Sequence, residues 1–347
     1  MSIPTISQRA GLAAVLILLP AAAAPSATFI KFDVPGAGNA QPAAINNRGA
    51  VVGYYQDAGG LSHGFLRSAV GQISTFDIPG SVQTFPRDIN RARAIAGSYL
   101  DAAGTSHGFL MSPGQTPVTF DARGAGAGML AGTFAVSINS GGEVAGIYRD
   151  SGLVGHGFLR RSDGSILTFD APGANSVPLG GTILNAVNDS GVVTGFYIDN
   201  SSVFHGFAGV PERIVGFSIP GAGSLSGWGT RSLAVNVKDT LCGSFVDASG
   251  LPHGFLLSRS RVITKFRIPN SLYLYPVSIN AAEAITGSYS DTNNMTHGFL
   301  RTPDGTITVF DVPGALWTNP AWVNAAGWIA GYSLDSSYVS HGFIRIP

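Results

Sequence analysis

The sequence predicts an all-β fold assembled from seven copies of one four-stranded unit, and three observations carry that prediction. The tripeptide His-Gly-Phe occurs at His63, His107, His156, His205, His253, His297 and His341, which are all seven histidines of the 347-residue chain. An aspartate stands six residues before each of them, at Asp57, Asp101, Asp150, Asp199, Asp247, Asp291 and Asp335. Eleven residues earlier still comes an asparagine, at Asn46, Asn90, Asn139, Asn188, Asn236, Asn280 and Asn324, with no gap in any copy. The copies recur every 44–49 residues as short alternating segments, a period typical of units that bury their faces only against neighbours.

Each unit divides into four strands. Strand A ends at the asparagine, as in Ala43–Asn46, and turns through Asn-x-x-Gly in copies such as NNRG and NDSG. Strand B follows with an aliphatic residue (Val51, Ile95, Val144, Val193, Leu241, Ile285, Ile329), a glycine two positions on and usually an aromatic two further. That period of two places these side chains on one face. The glycine, for example Gly53 or Gly97, is expected to let a neighbouring blade approach closely. The turn from aspartate to histidine closes a B–C hairpin, HGFLR forms strand C, and segments such as ISTFDIPG form strand D before a Pro-Gly turn.

The chain ends complete the count. A strand-D segment, FIKFDVPGA, precedes the first strand A, while the last copy stops at HGFIRIP, a strand C with no D after it. The N-terminal strand should therefore complete the last blade. The predicted architecture is a seven-bladed β-propeller of four-stranded blades, one domain over residues 25–347, whose closure removes exposed sheet edges.

Residues 1–24 read as a signal peptide. Arg9 supplies the positive start, Gly11–Leu19 an apolar core and Ala21–Ala24 small residues for cleavage. The core is shorter than the about 20 residues of a transmembrane helix, so the mature chain is expected to be exported, to the periplasm, cell surface or exterior, with no membrane span after cleavage. Cys242 is the only cysteine, which excludes an intrachain disulfide; it occupies the small strand-B position held elsewhere by Val52, Ala96, Ala145, Thr194, Thr286 and Ala330, and is expected to fill core. Charged residues are only 12% of the chain, with 20 acids balancing 20 bases. Nucleic acid and anionic membranes call for a clustered basic surface, which this composition argues against.

The repeated Asp and His can face each other across the B–C hairpin, where a charge-assisted hydrogen bond is expected. A catalytic centre requires one arrangement around one substrate, whereas this pair recurs in every unit, so no catalytic residue is assigned. Neither a metal site nor a cofactor is expected. Five further aspartates follow the strand-D phenylalanine (Asp33, Asp77, Asp121, Asp170, Asp311), and most of the remaining carboxylates fall in turns. No pair among them stands out as glycosidase-like, and no phosphate-binding, nucleophile-elbow or zinc-protease motif occurs.

The combination of (Ile or Val)-Asn-x-x-Gly, Val-x-Gly and HGFL resembles the repeats of the bacterial HAF-repeat family of exported proteins, and it spans essentially the whole mature chain. This sequence uses HGF where the family has His-Ala-Phe. The resemblance implies export and repetition, and it carries over no catalytic residue.

Specific function is expected where the symmetry fails. From the strand-D phenylalanine to the next asparagine there are 14 residues in four copies but 19 after Phe120, Phe169 and Phe217. These longer D–A connections should raise one side of the face shared by the D–A and B–C loops, with Trp228 on the lip and Tyr273, Tyr275, Trp317 and Trp322 on neighbouring D–A segments. Aromatic side chains with few charges suit a sugar face or an extended peptide. The expected protein is a monomeric, non-catalytic binder of a glycan or an extracytoplasmic protein. The alternatives are a structural envelope or matrix protein, and a hydrolase or lyase with an asymmetric site.

Overall fold

The computed structural model describes residues 27–347, where every regular element is a strand, 28 in all. Residues 1–24, read above as a signal peptide, lie outside the described residues. Among the described residues no helix is long and apolar enough to cross a membrane.

In the first unit, strands A (Asn39–Ile45), B (Val51–Gln56), C (Ser62–Arg67) and D (Ile73–Phe76) pair antiparallel in chain order. The same meander recurs along the chain. In the last unit Trp317–Val323, Ile329–Leu334 and Ser340–Ile346 supply strands A, B and C, and the fourth strand is Thr28–Phe32, with Phe32 opposite Gly342. The two ends of the described chain thus share one sheet.

The core lies between units. All seven HGF phenylalanines, from Phe65 to Phe343, are fully buried, because strand C places them against aliphatic residues of two consecutive strand pairs. Phe109, for example, joins Ile89 and Ile95 of its own unit to Ala44 and Val52 of the unit before. Cys242 is buried in the same way, and burial pushes its thiol pKa well up, as suits a small apolar filler.

The strand-B glycine proves necessary for a different reason from the predicted one. A Cβ on Gly53 would lie 2.2 Å from the carbonyl oxygen of Gln41, and one on Gly97 2.3 Å from that of Phe85. Both carbonyls belong to strand A of the same unit, beside a bulge at Pro42/Ala44 or Pro86/Asp88. The bulge pushes strand A over strand B, so the crowding is within a unit and not between blades.

The longer D–A connections are bonded at their ends onto the preceding unit. The N–H of Ser106 donates to Ala131 at 3.1 Å, that of Gly155 to Gly180 at 3.0 Å and that of Phe204 to Trp228 at 2.8 Å. Gly132, Gly181 and Gly229 have positive φ, and a Cβ on any of them would collide with a carbonyl oxygen at 2.1–2.2 Å. These stitches join the second and third units, and the fourth and fifth, into eight-stranded sheets.

The repeated asparagines link all the units. Each Oδ1 closes its own A–B turn, as Asn46 does by accepting from the N–H groups of Arg48 and Ala50 at 3.0 Å. Each Nδ2 donates to the backbone carbonyl of the next asparagine: Asn46 to Asn90, Asn90 to Asn139 and Asn139 to Asn188, all at 3.1 Å. The series continues from Asn188 to Asn236 at 2.9 Å, Asn236 to Asn280 and Asn280 to Asn324 at 3.0 Å, and returns from Asn324 to Asn46 at 3.2 Å.

Candidate functional site: an aromatic pocket between the fifth and sixth units

The repeated histidines sit in a structural frame. His63 Nε2 lies 3.3 Å from Asp57 across the B–C hairpin, and its Nδ1 lies 2.9 Å from Asp77 on strand D. The same two-sided bracket holds His107 between Asp101 and Asp121, His156 between Asp150 and Asp170, His297 between Asp291 and Asp311, and His341 between Asp335 and Asp33. His205 has Ser218 in place of the second aspartate and lies 2.9 Å from Asp199, while His253 lies 2.7 Å from Asp247 alone. An aromatic ring from strand B packs against the imidazole in six units, stacked in five of them, as Tyr148 is on His156 with centroids 4.7 Å apart, and tilted for Tyr55 on His63. The turn aspartate is used fully, since Asp57 Oδ1 also accepts from the N–H groups of Gly59 and Leu61 at 2.8 and 2.9 Å. Six of the seven histidines therefore pin strand D to the B–C turn, and His253 is held by the turn aspartate alone. The strand-D aspartates carried the signal for this second contact, 14 residues after the histidine in four units, with Asp33 supplied to His341 by the N-terminal strand.

The pKa directions follow from these contacts. The hydrogen bond to Asp77 raises His63 above its ordinary value, and that to Asp33 does so for His341. Burial pulls His107 down, but Asp121 and Asp101 outweigh it and the net shift is upward. Asp57, Asp101, Asp247, Asp291 and Asp335 lie below the usual carboxylate range, held there first by the backbone N–H groups of Leu61, Thr105, Leu251, Met295 and Val339. Among the described residues no group of three or more acidic, histidine or cysteine side chains is arranged to hold a metal ion.

Three of the five predicted aromatic residues come together. Trp228, Tyr273 and Tyr275 line one pocket of about 420 Å3 between the fifth and sixth units, with Arg231, Ser244 and Asn294 as its polar groups. Trp228 is fixed by close packing: a Cβ on Gly223 would meet its ring at 2.6 Å and one on Gly250 at 3.3 Å. Strand alternation puts Tyr273 and Tyr275 on the same side of strand A, their rings stacked with centroids 6.4 Å apart and largely open to solvent, 56% and 39% exposed. Arg231 lies 3.9 Å over the ring of Phe204 and donates to the carbonyl of Gly227, which orients a cation at the pocket edge. The arrangement offers flat apolar faces and a few directed polar groups.

The other two predicted aromatics lie elsewhere. Trp317 packs edge-on against Tyr338 with centroids 6.2 Å apart and does not line this pocket. Trp322 stands near the opposite end of strand A, beside Asn324. It packs against apolar clusters of the last, first and second units and lines an axial cavity of about 300 Å3 bounded by the asparagines. The expectation that it faces the D–A loops fails because it lies five residues along the strand from Trp317, a full strand length away from that face.

The axial cavity holds one functional-type residue that the sequence reading did not single out. Two residues before each repeated asparagine come Ala44, Asp88, Ser137, Ala186, Ala234, Ser278 and Trp322. Asp88 is 3% exposed and accepts from the N–H groups of Ile89 at 2.7 Å and Ile138 at 2.9 Å and from Ser137 Oγ at 3.2 Å. Burial raises its pKa to about 6 against the pull of these donors. A carboxylate at a position otherwise filled mostly by small residues was the available signal.

No protein-family model and no curated relative matches the chain. Among solved structures it is similar to the β-propeller domain of the Trilobed protease from Pyrococcus furiosus, at 7% identity and a TM-score of 0.60, covering 88% of this chain and 95% of that one. The fold is that of a β-propeller. The chain is also similar to a catalytically inactive variant of virginiamycin B lyase from Staphylococcus aureus, solved with quinupristin, at 12% identity and a TM-score of 0.61, covering 93% of this chain and all of that one. The BP39L lectin from Burkholderia pseudomallei aligns at 10% identity with a TM-score of 0.53, covering 88% of this propeller and 96% of the lectin.

Proposed function

We propose that this protein is an exported, non-catalytic β-propeller of the HAF-repeat type, seven-bladed and closed by its N-terminal strand, that binds a carbohydrate chain in the pocket of Trp228, Tyr273 and Tyr275. The blade count rests on the repeat and on the asparagine series that returns to its start. The closure rests on the pairing of Thr28–Phe32 with Ser340–Ile346. Export rests on the composition of residues 1–24.

One observation carries the ligand class. A buttressed indole and a stacked tyrosine pair flank a single groove that also presents Arg231, Ser244 and Asn294. Sugar rings have apolar faces edged by hydroxyls, so they match aromatic surfaces with directed donors and acceptors. The similarity to a lectin propeller agrees with this reading at the level of fold. The test is a glycan array probed with purified residues 25–347, followed by calorimetric titration of the best oligosaccharide into the parent protein and Trp228→Ala. Binding that weakens about tenfold in the variant supports the site. A protein that ignores every glycan but captures an extracytoplasmic protein would overturn the ligand class.

A further inference from the structure

The junction between the fourth and fifth units is packed differently from the others. After HGF, six units place a branched aliphatic residue (Leu66, Leu110, Leu159, Leu256, Leu300, Ile344), and the fourth places Ala208. The larger side chain fills the cleft to the next unit, as Leu66 does beside Ile89 and Phe109, and Leu300 beside Val323 and Phe343. The following position is an arginine in four units, and its guanidinium caps the strand-D phenylalanine of the unit before. Arg67 lies 5.0 Å over Phe32, Arg160 5.2 Å over Phe120, Arg301 5.5 Å over Phe266 and Arg345 5.0 Å over Phe310. At the fourth–fifth junction the capping position is Leu257, beside Phe217. Only this junction has lost both the filler and the cap.

Space opens as a result. A cavity of about 420 Å3 lies there, lined by Ala208, Val215, Phe217, Leu257 and Ile263 among others. That is within the range of about 300–1,000 Å3 of small-molecule sites. Val215 lines it and is 51% exposed. Charge is confined to one side, where Asp239, Arg259 and Arg261 also line the cavity. Arg259 lies 3.5 Å from Asp239, which leaves Arg261 with no carboxylate partner among the described residues.

We propose that this inter-blade cavity is a second binding site, separate from the aromatic pocket, for a small amphipathic carboxylate whose apolar chain replaces the missing leucine and whose anionic head is met by Arg261. An apolar floor with a single-sided cationic rim selects for that combination. A neutral apolar ligand would leave Arg261 unused, and a cationic head would meet two arginines.

The test titrates decanoate and decylammonium, by calorimetry, into the full mature chain, into Ala208→Leu, and into Val215→Trp, which blocks the cleft from an exposed position with little demand on folding. The proposal expects decanoate to bind the parent at least tenfold more tightly than decylammonium. It expects a loss of at least tenfold in both filled variants, and a loss of about fivefold in Arg261→Ala. Absence of decanoate binding, or undiminished binding in the folded filled variants, overturns the site. Equal binding of the two amphiphiles overturns the assignment of an anionic head.

Discussion

Asn324 donates from Nδ2 to the backbone carbonyl of Asn46, 3.2 Å away in space and 278 residues away in sequence. It repeats between the last and first units the contact that every consecutive pair makes. Both partners are buried, so the bond holds the two ends of the chain together where water cannot substitute for it. Asn324→Ala leaves the Asn46 carbonyl and the N–H groups of Ala326 and Trp328 without their side-chain partner. The expected loss is about 1–3 kcal/mol of unfolding free energy, read by urea denaturation. A variant with an unchanged midpoint would show that the contact adds nothing to stability.

Removing residues 25–37 tests the same closure from the other strand. Strand C of the last unit would lose its edge partner, Phe65 its contact with Phe32, and His341 its contact with Asp33. The expected outcome is a fall in thermal midpoint together with a new tendency to associate through the bared edge. A monomeric deletion with the parent's midpoint would count against closure by the N-terminal strand.

The histidine brackets should act on stability alone. His107→Ala removes partners from Asp101, Asp121 and the ring of Tyr99. Asp121 is half exposed, and solvent screens its share. A loss of about 1–2 kcal/mol is expected, with glycan affinity unchanged. If affinity falls while the midpoint holds, the pair has a role in binding.

Stability should peak in mild acid. The raised pKa of His63, His107 and His341 means their contribution is fully present below the ordinary histidine value of 6.5 and is lost as pH rises through the folded value. The lowered Asp57, Asp101, Asp247, Asp291 and Asp335 contribute above 3.8 and lose that contribution as pH falls through their folded values. Asp88 is raised from 3.8 to about 6, so its burial penalty grows as pH climbs between those values. The thermal midpoint should therefore be higher near about pH 5 than near about pH 8, and Asp88→Asn should flatten the slope between about pH 4 and 6. A profile rising from pH 5 to 8 would contradict these assignments.

The aromatic residues should separate into two classes. Tyr273→Ala is expected to weaken oligosaccharide binding about tenfold, about 1.4 kcal/mol, without a change in midpoint, because the ring is 56% exposed. Trp322→Ala should leave that affinity alone and lower stability by about 2–4 kcal/mol, since its indole packs into two apolar clusters. The reverse pattern would move the binding site to the axial cavity.

By itself the sequence determined the unit, its strands and its structural residues. The reason is physical. A strand has a side-chain period of two, a turn needs particular residues, and both rules act over a few positions, so repetition in one chain averages out the ambiguity of any single copy. Asp57 and His63, six residues apart across a hairpin, were legible for that reason. Tertiary structure alone decided which distant residues meet. Trp228 and Tyr273 are 45 positions apart and share a pocket, while Trp317 and Trp322 lie on one short strand and face different ends of it. Periodicity states which face of a strand a side chain occupies, but not which end of the unit that face reaches or what the next unit lays against it. The docking of the long connections onto the preceding hairpin, the return of the asparagine series to Asn46 and the cavity left by Ala208 all depend on packing between units, where one residue's fit is set by residues far away in sequence, 278 positions in the case of Asn324 and Asn46.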